Sequence, residues 1–186
     1  QLEESRQRRS ALPVNERVRR LRDELRPLLG DIEPAAAPKG EILWKRRLSG
    51  ADVEAIALSV EEGIQVPLLL LMPESGPVRS IVVGVAQGGK DRFLTGQAEQ
   101  IATLLQAGVA VCLPDVRGTG ETAFSQQDYP YGGVVQQEFD LSKNLLGSRL
   151  KDLRTVLAYL RQRPELHRTK IALWGESFAM PNPANL

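Results

Sequence analysis

Three apolar runs, each followed by a glycine-containing turn, constrain this chain more than any other feature. They are Ser80–Ala86 (SIVVGVA), Val109–Leu113 (VAVCL) and Lys170–Trp174 (KIALW). Apolar residues at both parities suit strands covered on both faces, as in a parallel sheet held between helix layers. A helical pattern over Phe93–Gly108 separates the first two runs. A loop and a long helix separate the second from the third; its stripe is Leu146, Leu150, Leu153, Leu157 and Leu160, with Pro164 beyond its end. These connections are too long for hairpins, so the spacing predicts parallel pairing through right-handed crossovers.

Glu41–Leu48, Val53–Val60 and Ile64–Met72 read as earlier strands, the last two joined by the short turn Glu61-Glu62-Gly63. Before them, residues 1–30 are arginine-rich, with Val14, Val18, Leu21, Leu25, Leu28 and Leu29 at helical spacing. Pro13 and Gly30 bracket that helix, which is expected to pack its apolar stripe on the domain, with a nucleic-acid or membrane-binding arm as the alternative. Asp31–Gly40 reads as a linker. The expected organisation is a helix and linker over 1–40 and one α/β domain over 41–186.

At 186 residues, 42% apolar and 25% charged, the chain can bury a core of its own. A net charge of +1 argues against a nucleic-acid platform. Val66–Met72, the longest apolar run, falls far short of the roughly 20 residues of a membrane span. Cys112 is the only cysteine, so no internal disulfide forms. The chain begins with Gln1, which keeps a secreted or periplasmic location open beside a cytoplasmic one.

In an open α/β sheet, ligands gather at the carboxyl ends of the strands. Gly84–Asp91 (GVAQGGKD) imitates a phosphate-cradling loop, but Asp91 stands where a Mg²⁺-binding hydroxyl is needed and Gly84 lies inside the strand. Gly118–Ala123 imitates a dinucleotide fingerprint, but turn residues follow it rather than a helix. The third turn, Gly175-Glu176-Ser177-Phe178-Ala179, has the small flanking residues that let a serine project from a tight strand-to-helix turn. There the Phe178 N–H would face the oxyanion formed on attack.

With these turns in this order, the chain resembles the α/β-hydrolase superfamily. Within it, the similarity is to the dienelactone hydrolase and acetyl xylan esterase-like branch. The stretches that carry the resemblance are LLLLMPE, IVVGVAQGG, AVCLPDVRGTGET and KIALWGESFA, spanning roughly Glu62 to Ala179. The resemblance implies a three-layer fold with a mostly parallel central sheet whose C-terminal strands are missing here. It implies Ser177 as nucleophile, with oxyanion donors from the Phe178 N–H and the Gly88 or Gly89 N–H. Gln87-Gly88 stands where the family often has His-Gly. Arg117, in the Asp-x-Arg-Gly turn, and Tyr131, in Tyr129-Pro130-Tyr131, are candidates for the pocket wall together with Gln87. The implied activity is hydrolysis of carboxylic esters through an acyl-enzyme, an acetyl xylan esterase-like deacetylation. It needs no cofactor or metal and acts on a small-molecule or carbohydrate ester. A serine peptidase on the same fold and a non-catalytic binding domain are the alternatives. Pro181 and Pro183 depart from the family by interrupting the helix expected after the serine.

A serine hydroxyl needs a base. The only histidine, His167, precedes the strand whose far end carries Ser177, which puts them roughly 20 Å apart. Lys170 shares that wrong end, and Glu176 points elsewhere on a tight turn. In this superfamily the acid and histidine follow the serine in the chain. Both are therefore expected beyond Leu186, and the chain reads as the N-terminal part of a serine hydrolase.

Overall fold

A computed structural model describes residues 12–48, 50–123 and 144–177. Tyr131, Phe178, Pro181 and Pro183 lie outside them. The elements are α1 (Val14–Leu29), β1 (Lys39–Leu48), β2 (Ala51–Glu61), β3 (Ile64–Pro73), β4 (Ser80–Ala86), α2 (Gly89–Gly96), α3 (Ala98–Gln106), β5 (Val109–Pro114), α4 (Leu145–Gln162) and β6 (Lys170–Glu176). The strands form one sheet in the order β1-β2-β3-β5-β4-β6. β4, β5 and β6 are parallel, and β2 runs with them; β1 and β3 run the other way.

Residue parity along the buried strands divides the core into two layers. Ile56 and Leu58 of β2, Leu68 and Leu70 of β3, Ile81 and Val83 of β4 and Cys112 of β5 pack against Val156, Tyr159 and Leu160 of α4. Their neighbours Ala51, Val53, Leu71, Val111 and Leu113 pack against Phe93 of α2 and Ile101 of α3. Each large side chain so buried contributes about 1.5–3 kcal/mol. That is why VAVCL is apolar at every position: helices cover it on both sides. Burial pushes the Cys112 thiol up to about 12, so it behaves as a small apolar residue.

The expected helix over Phe93–Gly108 is in fact two. It breaks at Gln97, whose φ of −129° is not helical, after Gly96, a poor helix former. The freed Gln97 Nε2 donates to Glu176 Oε2 at 3.1 Å, tying the break to the end of β6. β6 itself runs two residues further than expected, through Gly175 and Glu176.

The N-terminal helix also departs from expectation. None of α1's residues is buried, so its apolar stripe does not pack on the domain. Among the described residues, its C-terminal end is the part that is held. Asn144 Nδ2 donates to Leu28 O at 3.1 Å, and Leu29 O lies 1.8 Å from where a Cβ on Gly147 would sit. Gly147 is thus the contact in the first turn of α4, and Leu146, expected in the buried stripe, is 64% exposed. The segment after α1 is strapped along α4 by Lys151 Nζ–Asp31 Oδ2 at 2.6 Å, Arg154 Nη2–Glu33 Oε2 at 3.0 Å and Ala35 N–Thr155 Oγ1 at 3.4 Å.

Candidate active site

The sheet register decides which turns meet. β4 and β6 pair in unbroken parallel register from Ser80↔Lys170 to Ala86↔Glu176. Gln87 and Ser177 therefore leave adjacent strands at the same level, where neighbouring chains are about 4.8 Å apart. Ser177 is exposed there, and its N–H donates to Glu176 Oε1 at 3.2 Å. The Glu176 carboxylate also accepts from Gln97 Nε2 at 3.1 Å.

Two glycines shape the turn after β4. Gly88 caps α2, and Gly89 opens it with φ +76°, a conformation that L side chains rarely adopt. A Cβ on Gly89 would sit 2.3 Å from Gly120 Cα and 2.7 Å from Asp115 Oδ1. The turn after β4 and the turn after β5 therefore touch backbone to backbone. The α2 N-terminus, where helix dipoles are positive, opens at the same carboxyl end of the sheet.

Asp115 fastens the two turns. Its side chain is fully buried; Oδ1 accepts from Lys90 N at 2.6 Å, and Oδ2 accepts from Lys90 Nζ at 2.6 Å and from Glu121 N at 2.9 Å. Lys90 Nζ also bonds Glu121. Burial alone would lower the Lys90 pKa, but Asp115 and Glu121 outweigh it and hold the ammonium above its ordinary range. The lysine of the phosphate-loop look-alike is thus internally paired, a third reason against phosphate binding there. Residue spacing missed this cluster, because Lys90 and Asp115 are 25 positions apart. Both lay in motifs singled out for other reasons.

Arg117 sits on the opposite side of its turn. Its N–H and Nη2 donate to the buried carboxylate of Asp152 on α4 at 2.9 and 2.7 Å, and Glu61 lies 3.6 Å from Nη1. Burial would lower its pKa, but Asp152 and Glu61 raise it. Arg149 closes the turn by donating to Arg117 O at 2.8 Å. Arg117 lines a cavity of about 250 Å³ with Glu61, Lys151, Ser148 and the end of α1, and neither Gln87 nor Ser177 borders it.

His167 is exposed before β6, with Nδ1 2.8 Å from Pro164 O. Seven strand residues separate that turn from Ser177, roughly 20 Å at the usual rise. Among the described residues, no cluster of three or more acidic, histidine or cysteine side chains could hold a metal. No helix among them is long and apolar enough to cross a membrane.

Behind the site, Gly84 lets α2 close on the sheet. A Cβ there would sit 2.8 Å from the Phe93 ring and 2.8 Å from Leu113. Phe93 in turn meets the Trp174 ring edge-on, centroids 4.9 Å apart, and so braces β6 just before Ser177.

No family model matches the chain, and no curated protein matches it in sequence. Solved structures do. A protein of Bacteroides fragilis NCTC 9343 assigned as an acetyl xylan esterase is 19% identical with a TM-score of 0.65, over 87% of this chain and 48% of that one. Glucuronoyl esterase from Solibacter usitatus is 14% identical with a TM-score of 0.53, over 77% and 46%. Acetyl xylan esterase 1 from Thermoanaerobacterium sp. JW/SL YS485 is 16% identical with a TM-score of 0.52, over 75% and 44%. The chain spans about half the length of these structures. The strand order, the layers and these likenesses together give this chain an α/β-hydrolase fold.

Proposed function

We propose that the protein to which this chain contributes is a serine esterase, with Ser177 as its nucleophile and an acetylated carbohydrate as the favoured substrate class. The observation that carries this is the register Ala86↔Glu176, which sets Ser177 level with Gln87-Gly88-Gly89. Ser177 Oγ attacks the ester carbonyl and gives its proton to a histidine, which this reading assigns to chain following Leu186. The resulting oxyanion accepts the Phe178 N–H and the Gly88 or Gly89 N–H. Lys90 N–H is already bonded to Asp115, so it is not assigned that role. The α2 N-terminus adds favourable potential for the same charge. The alcohol then leaves with the proton from the histidine, and water repeats the sequence on the acyl-enzyme. Gln87 and Tyr131 are assigned to the pocket wall. Arg117, paired with Asp152 beside a cavity that neither Gln87 nor Ser177 borders, is assigned to holding the turn after β5 rather than to that wall. The acetyl preference follows the acetyl xylan esterases among the structural neighbours.

The test is hydrolysis of p-nitrophenyl acetate and of acetylated xylan by the product of the full reading frame. Ser177→Ala should cut turnover by about a thousandfold or more. The 186-residue chain alone should show no sustained turnover. Turnover by that chain, abolished by Ser177→Ala, would contradict the assignment of the base. A folded full-length product with no turnover on any ester would favour a non-catalytic binding domain.

A further inference from the structure

α1 is a well-formed helix, and among the described residues none packs its apolar stripe into the core. Val14, Val18, Leu25 and Leu28 are 66%, 39%, 48% and 67% exposed, and Leu21 is half-buried. With Leu21 they recur at steps of four, three, four and three, the spacing of a two-stranded coiled-coil seam. Val18 and Leu25 take the a positions; Val14, Leu21 and Leu28 take the d positions. Among the described residues the helix is held at its C-terminal end, and its first three turns lie outside the domain's core.

The residues flanking the seam choose the occupant. Arg17 and Glu24 precede the a positions; Asn15 and Arg22 follow the first two d positions. In a parallel pair, Arg17 would face Arg22 of the second copy, a repulsive contact. In an antiparallel pair the layers are Val18 against Leu21 and Val14 against Leu25, each made twice by the two-fold symmetry. That register sets Arg17 against Glu24 of the second copy and Glu24 against its Arg17. Glu24 already holds Arg20 of its own helix at 3.0 Å, so its carboxylate would sit between two guanidinium groups. All four layers precede Pro27, so the proline does not interrupt the seam. An anionic lipid surface fits less well. The polar face mixes Glu16, Asp23 and Glu24 with its five arginines, and the seam is narrower than the wide apolar face of an interfacial helix.

We propose that α1 pairs antiparallel with α1 of a second copy of this chain, bringing two α/β domains together through their N-terminal helices. With four layers, the pair forms in the micromolar range rather than as an obligate dimer.

Sedimentation equilibrium of the 186-residue chain carrying Leu173→Lys, which blocks association at the β6 edge, tests this at concentrations up to about 1 mM. This parent chain should dimerise. Arg17→Glu and Glu24→Arg should each raise the dissociation constant about tenfold, since each makes two cross-helix pairs repulsive. The double swap should restore the parent value to within about threefold. Val18→Glu with Leu25→Glu should leave a monomer whose far-ultraviolet circular dichroism and melting midpoint are unchanged, because neither side chain is buried. A tighter dimer in Arg17→Glu would mean a parallel pair and would overturn the proposal. So would a chain monomeric throughout, a dimer indifferent to both swaps, or parent monomer captured by phosphatidylserine vesicles.

Discussion

At one edge of the sheet, β1 carries Lys45, Arg46 and Arg47 in succession and a bulge between Ile42 and Trp44. At the other, β6 runs Ile171, Ala172, Leu173, Trp174 and Gly175 with no charge and no irregularity in its pairing with β4. Lys45 pairs with Glu54 at 2.6 Å, Arg47 with Asp52 at 2.6 Å, and Arg46 lies over the Trp44 ring at 4.9 Å. β1 thus has the charges and the bulge that discourage a further strand from adding. Between its charged ends, Lys170 and Glu176, β6 has neither, and Leu173 on it is 58% exposed beside a shallow apolar hollow of about 400 Å³. The chemistry proposed here sits at the end of this open edge, which suits pairing with another strand.

Substitutions at the two edges should separate their behaviour. The largest expected effect is on self-association: Leu173→Lys should slow aggregation of the 186-residue chain at least about tenfold in light scattering. Leu43→Lys on β1 should change it little. Next in size is the carboxylate that fastens the two turns. Asp115→Ala leaves Lys90 buried without its main partner and should cost about 3–5 kcal/mol by urea denaturation. Asp52→Ala, on the exposed β1 pair, should barely move the urea midpoint. Smaller still, Gly84→Ala should cost about 1–3 kcal/mol by pressing on Phe93 and Leu113. Gly175→Ala, with nothing within 4 Å of the new Cβ, should be nearly silent in this chain.

The smallest effects come with pH. Burial alone would raise the Glu54 pKa, but Arg163 and Lys45 outweigh it and hold it below its ordinary 4.5. Glu61 is lowered likewise, against burial, by Lys151 and Arg117. A lowered folded-state pKa gives stability that is full above the ordinary value and is lost as pH falls through the folded one. The melting midpoint should therefore fall below about pH 4.5, and Glu54→Gln should flatten that limb. Lys90 is raised above its ordinary 10.5, so its contribution is full below that pH and is lost as pH rises through the folded-state value.

Much of this fold was legible because local pattern and tertiary burial agree. Ser80–Ala86 was bounded correctly from its apolar parity, since both faces of β4 are covered. The Glu61-Glu62-Gly63 hairpin was legible from its turn residues, and Gly63 takes φ +73°. The break at Gln97 was not, because the partner that rewards it, Glu176, lies 79 residues away. Nor was the free face of α1: its period says helix, but nothing in a period says which surface it meets. At the candidate site, Ser177 and the glycines were legible as motifs. Asp115 as the clasp between the turns was not, because its three bonds depend on how β4 and β5 pair.

The most direct test of the central claim is fluorophosphonate labelling of the full reading-frame product, with the modified residue located by mass spectrometry. Modification at Ser177, lost in Ser177→Ala and absent from the 186-residue chain, is the predicted result. A folded, full-length protein that hydrolyses esters while Ser177 stays unlabelled, or that keeps its turnover in Ser177→Ala, would contradict it.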